Sequence, residues 1–202
     1  VNLIYVQGQE HSINELTMFL LLDRIMSHAF FSDLRTEQNL GYAVNADMVR
    51  YGGVPGMEFA IQSPYAEPQS LEEKVIAFLD SFGKQLTTSS PENFSDIAQT
   101  LQRDLRKSAP NLNKQANRVW RAIKYEGENF DYREQMAIAI DKLSLSDFSN
   151  WYATRFSASK RRVASVLVSG QEHSVPWSWK FSNRDSNVGD FEDFAEHNGS
   201  TK

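Results

Sequence analysis

Between Ile13 and Leu34 apolar residues recur at a helical period: Ile13, Leu16, Phe19, Leu20, Leu22, Ile25, Met26, Ala29, Phe30 and Leu34. The apolar face this creates is wide, which predicts that the helix lies on a sheet. Ser12 and Glu15 form a capping-box pair that opens it. Gly41 reads as the residue beyond its C-terminus, taking the left-handed conformation that stops a helix. Strands flank this helix. Leu3–Val6 is a short apolar run ended by Gly8. Ala43–Arg50 alternates, with Val44, Ala46 and Met48 on one side and Asn45 and Asp47 on the other. A turn over Gly52–Gly56 then leads into a returning strand over Met57–Gln62.

Downstream the pattern is mostly helical. Ser70 with Glu73 predicts a capping box and a helix to about Phe82. Ser90 and Pro91 are an N-cap and a first-turn proline. A helix runs from about Lys114 to Tyr125 and ends at Gly127. Asp131 with Glu134, and Ser144 with Asp147, open two more. Val163–Val168 carries the β-branched signal of a last strand. The order strand, helix, hairpin, helices, strand predicts an α+β fold: a two-layer sandwich with a mostly antiparallel sheet covered by helices on one face. Residues 1–173 are expected to form this domain. Residues 174–202 turn polar and acidic and read as a tail, partly docked through Trp177 and Trp179, with frayed last residues.

Composition removes several classes of function. The chain has 202 residues, a net charge of −5 and a pI near 5.4, which argues against nucleic acid as a partner. The short basic run Lys160–Arg162 reads as a solvated strand entry. With no cysteine, disulfides and thiol catalysis are excluded. No stretch reaches transmembrane length, so no membrane partner is expected. The first residues lack a signal-peptide pattern and an initiator Met, which fits a piece of a longer polypeptide. Gly8–Ser12 recurs as Gly170–Ser174, both reading Gly-Gln-Glu-His-Ser. Two Glu-His pairs make a poor metal site, because adjacent residues on extended backbone point to opposite faces.

The chemistry sits in Leu34-Arg35-Thr36-Glu37-Gln38-Asn39-Leu40-Gly41-Tyr42. Arg35 offers a planar fork of donors that stays charged at any working pH. Tyr42 offers a hydroxyl on a stiff ring. Together they suit a carbonyl oxygen that gains negative charge during acyl transfer. The ordinary readings are a cation in the last turn of a helix and an aromatic residue at a strand start. Glu37 and Gln38 read as surface or supporting residues, and His28 as a satisfied or surface histidine.

This stretch resembles the Leu-Arg-Thr-Glu-x-x-Leu-Gly-Tyr motif of the C-terminal domain in the pitrilysin/insulysin (insulinase) family of zinc metallopeptidases, and the bacterial pitrilysins fit best. Phe30-Phe31-Ser32-Asp33, Phe59–Ser63 and Asn129-Phe130-Asp131 extend the resemblance over roughly residues 2–170. It implies that Arg35 and Tyr42 contact the substrate and its oxyanion in the intact enzyme. The family's zinc motif is His-x-x-Glu-His, with a further Glu downstream. The four histidines here are His11, His28, His173 and His197, and no two stand at that spacing. The resemblance therefore implies a fragment that is inactive alone. The zinc would be held outside this chain, by an N-terminal half of the same enzyme, and the substrates would be peptides. The alternative is a non-catalytic member of the same fold, acting as scaffold or partner subunit. A periplasmic compartment is favoured over a cytoplasmic one, following the bacterial branch.

Overall fold

The computed structural model describes residues 1–169 and 178–182. Its elements, in chain order, are β1 Asn2–Gln7, α1 Ile13–Phe31, β2 Ala43–Tyr51, β3 Val54–Gln62, α2 Pro68–Thr88, α3 Pro91–Arg106, α4 Leu112–Tyr125, α5 Tyr132–Asp141, α6 Leu145–Phe156, β4 Arg162–Leu167 and β5 Ser178–Ser182. The five strands form one sheet in the order β2-β3-β1-β4-β5, with every neighbouring pair antiparallel. This is the α+β sandwich expected. β5 is an addition: it pairs with β4 from Val163↔Ser182 to Leu167↔Ser178, and five residues with one aromatic pair gave little strand signal. Trp179 falls in β5, opposite Val166. Trp177 and the second Gly-Gln-Glu-His-Ser copy lie outside the described residues.

Alternation decides which sheet face is covered. Ile4, Val6, Val44, Ala46, Met57, Phe59 and Ile61 are buried, while their sequence neighbours Tyr5, Asn45, Asp47 and Glu58 are not. Helices α1 and α2 lie on the buried face, and α3, α5 and α6 pack against them. Aromatic rings fill the seam. Phe30 stands 5.2 Å from Phe59 and 5.1 Å from Phe78, and Phe19 meets Trp151 edge-on at 5.0 Å. Each such side chain removed from water contributes about 1.5–3 kcal/mol.

Several local expectations change. The β2–β3 turn is only Gly52–Gly53, with φ of 59° and 84°, the two positive values that a two-residue type I′ hairpin requires. Val54, Pro55 and Gly56 already belong to β3, and Pro55 lies beyond the end of β1, whose ladder with β3 starts at Gln7↔Gly56. α2 opens at Pro68 with no side-chain cap, since proline presets the first turn, and it runs on past Phe82 to Thr88. Ser144 and Asp147 form the reciprocal box expected of them. Ser12 caps α1 by accepting from the Glu15 N–H, but the Glu15 carboxylate turns elsewhere. Arg161 is buried, not solvated: it donates to Asp80 Oδ1 at 3.0 Å and to the Phe156 carbonyl at 3.2 Å.

Candidate functional site

The site is built where α1 ends. Instead of stopping at a glycine, the helix widens into a π turn over Ser32–Glu37, closed by the Gln38 N–H donating to the Asp33 carbonyl at 2.9 Å. Such turns recur at functional sites. Leu34 is fully buried and anchors the turn to the core. Gln38 also donates from Nε2 to Asp33 Oδ1 at 2.9 Å, the supporting role expected of it.

The left-handed residue is Asn39, at φ 49°, and not Gly41. Asparagine tolerates that conformation better than other side-chain-bearing residues. Gly41 is required for another reason. A Cβ there would lie 2.1 Å from the Gln62 carbonyl oxygen, so the backbone can pass the end of β3 only without a side chain. The motif held both signals, an Asn and a Gly two apart, and the structure divides the tasks between them.

This path leaves Arg35 and Tyr42 facing outward. Tyr42 is 64% exposed, just ahead of β2 on the outer edge of the sheet. Arg35 is half-buried in the last turn, and its Nη1 donates to Asn39 Oδ1 at 3.0 Å. The residue that turns the backbone thus also orients the guanidinium. Among the described residues no carboxylate forms an ion pair with Arg35, whose side-chain partner is Asn39. His28 is exposed on α1. Among the described residues no three histidine, aspartate or glutamate side chains converge on a metal position.

At the other end of α1 a second polar cluster has a structural role that the sequence did not reveal. Glu15, with a side chain only 2% exposed, accepts from Arg155 Nε at 2.7 Å and Nη2 at 3.1 Å, from Trp151 Nε1 at 2.9 Å and from the Gln9 N–H at 3.0 Å. Burial pushes the carboxyl pKa up. The Arg155 hydrogen bonds, the Gln9 N–H, the Trp151 N–H and the Arg155 charge outweigh it and hold the group below the usual glutamate range.

The family described as PQQ synthase PqqF-like, C-terminal lobe domain 4, matches residues 21–120. Protease 3 of Escherichia coli O6:H1 is 32% identical over 165 residues, covering 79% of this chain. The chain belongs to the pitrilysin/insulysin family. Human insulin-degrading enzyme, in the same family, is 29% identical over 171 residues and covers 84% of the chain. A crystal structure of pitrilysin superposes over 86% of the chain with a TM-score of 0.76 and 24% identity. The inactive peptidase domain of a zinc protease from Bordetella parapertussis shares the fold with a TM-score of 0.65 at 11% identity, over 84% of this chain and 94% of that one. This pitrilysin-type chain spans only 17% of the length of Protease 3 and of insulin-degrading enzyme, and 19% of the pitrilysin chain.

Proposed function

We propose that this chain is the C-terminal domain of a zinc-dependent endopeptidase, and that it supplies groups that contact substrate and transition state while the metal is held elsewhere in the polypeptide. The observation that supports this reading is that Tyr42 is exposed and Arg35 only half-buried, in a motif where Leu34, Asn39 and Gly41 hold the backbone in place. Leu34 anchors, Asn39 turns and pins, and Gly41 admits the close approach to β3. The Tyr42 hydroxyl donates a hydrogen bond to the scissile carbonyl oxygen as that oxygen becomes an oxyanion. Arg35 holds a neighbouring peptide carbonyl. A donor aimed at developing charge acts mainly on turnover. Tyr42→Phe in the full-length enzyme should therefore lower kcat by about 10²–10³-fold with little change in KM. Unaltered turnover would remove Tyr42 from the mechanism.

The same fold occurs in an inactive peptidase domain, so architecture by itself does not separate a catalytic part from a scaffold. What favours catalysis is the exposed Tyr42 phenol beside the half-buried Arg35 guanidinium, a pair for which a scaffold has no evident need. Mixing this chain with a separately made N-terminal half and following a quenched fluorescent peptide distinguishes the two: hydrolysis only in the mixture supports the peptidase, and none supports the scaffold. We place the parent enzyme in the periplasm, the compartment named for its structural relative PqqL of Escherichia coli. No helix among the described residues is long and apolar enough to cross a membrane. Cell fractionation tests the placement.

A further inference from the structure

The chain is acidic overall, yet one cleft gathers positive charge. It has a volume of about 310 Å³ and lies between β2, α1, α3, α4 and α5. Arg50 of β2, Arg121 of α4 and Arg133 of α5 line it beside Tyr125, over a floor that includes the buried Leu105 and Met136. Arg50 pairs through Nη1 with the carboxylate of Glu126 and lies 5.2 Å from the centre of the Tyr125 ring. Its Nε and Nη2 are buried with no hydrogen-bond acceptor among the described residues. Arg133 is fixed to the wall by donating to the carbonyls of Leu105 at 3.0 Å and Asp104 at 2.8 Å. Among the described residues no carboxylate lies within ion-pair distance of Arg121 or Arg133. Among the described residues Glu126 is the one carboxylate ion-paired with any of these three guanidiniums, and it also lies 3.7 Å from His11 Nε2.

The local field agrees with this count. The Tyr125 phenol is pulled below its usual pKa by a hydrogen bond with Lys124, against the effect of burial, and by the charges of Lys124, Arg50 and Arg121. Burial lowers the Arg133 pKa, and the charges of Arg118 and Arg121 lower it further. Buried donors are almost always satisfied, so the two open groups of Arg50 call for an acceptor. The cavity is at the small end of ligand pockets, which suits one or two side chains and not a folded partner. Guanidinium forks match carboxylates in two-point geometry. The buried apolar floor of Leu105 and Met136 favours a carboxylate carried beside an apolar side chain over a bare inorganic anion.

We propose that this cleft docks an acidic peptide segment, taking a carboxylate against Arg50, Arg121 and Arg133 and an adjacent apolar side chain against Leu105 and Met136. The choice of a peptide rests on the peptidase reading above, but the binding itself requires no turnover. The test uses the whole chain and a labelled peptide alternating Glu with Phe, compared with the same peptide carrying Gln for Glu, by fluorescence anisotropy. The Glu peptide should bind at least about tenfold more tightly. Arg121→Glu, on an exposed turn of α4, should abolish the preference with an unchanged melting temperature, while Tyr42→Phe should leave it intact. Equal binding of the two peptides, a preference surviving in Arg121→Glu, or inorganic phosphate binding more tightly than the Glu peptide would each overturn the proposal. Loss of the Tyr42 role in catalysis would leave this binding result unchanged, so the two readings fail separately.

Discussion

At the scale of single residues, Gly41 is the sharpest point in the fold. The Gln62 carbonyl oxygen stands 2.1 Å from where a Cβ would be, and that neighbour is backbone, which cannot swing aside. Gly41→Ala should therefore force β2 away from β3 and cost about 1–3 kcal/mol or more, as overpacked sites do. Urea unfolding midpoints measure the loss, and an unchanged midpoint would show that the approach is looser than described. Arg35 and Tyr42 are proposed as the contact pair because the motif around them resembles that of the family, while residue type and spacing alone equally fit a helix-end cation and a strand-start aromatic. The way they are held was not legible in the sequence. Which of Asn39 and Gly41 takes the left-handed conformation depends on how closely β3 approaches, and that contact joins residues more than twenty positions apart.

At the scale of elements, α1 is held at both ends by different means. A π turn and a buried leucine hold one end, and the Glu15 cluster fastens the other to α6. Ser12 and Glu15 looked like a self-contained capping box, yet Glu15 reaches partners some 140 positions away, which no local pattern announces. Removing one member of a buried ion pair leaves the other uncompensated, at about 3–5 kcal/mol. Glu15→Gln should lower the urea midpoint accordingly. The pH dependence follows from the lowered carboxyl pKa. The stabilisation is fully present above the unfolded glutamate's value of about 4.3 and is lost as pH falls through the lower folded value. The wild-type melting temperature should thus decline on acidification below about pH 4, and Glu15→Gln should flatten that limb. Parallel acid limbs in the two proteins would contradict the assignment.

At the scale of the whole molecule, α4 stands apart. Only Ala122 is buried along its length, while Leu112, Val119, Trp120 and Ile123 are exposed, with Phe130 just beyond. Its helical period was readable, but periodicity predicts an apolar stripe and not whether anything covers it. Contiguous exposed apolar surface drives association. The chain should self-associate with rising concentration in sedimentation velocity, and Trp120→Glu should suppress this without lowering the melting temperature; a chain that stays monomeric throughout would remove the stripe as a cause. The sheet order has a further result for how the molecule is made. β1 precedes the other strands of its sheet and lies at the centre, between β3 and β4, and its β4 partners are residues 162–167. Pairings that distant in sequence close late and slow folding. While the helices are being synthesised, β1 would already be zipped to β3 on one side and bare on the other, so the nascent chain would carry a sticky, template-like seam until its last strands emerged.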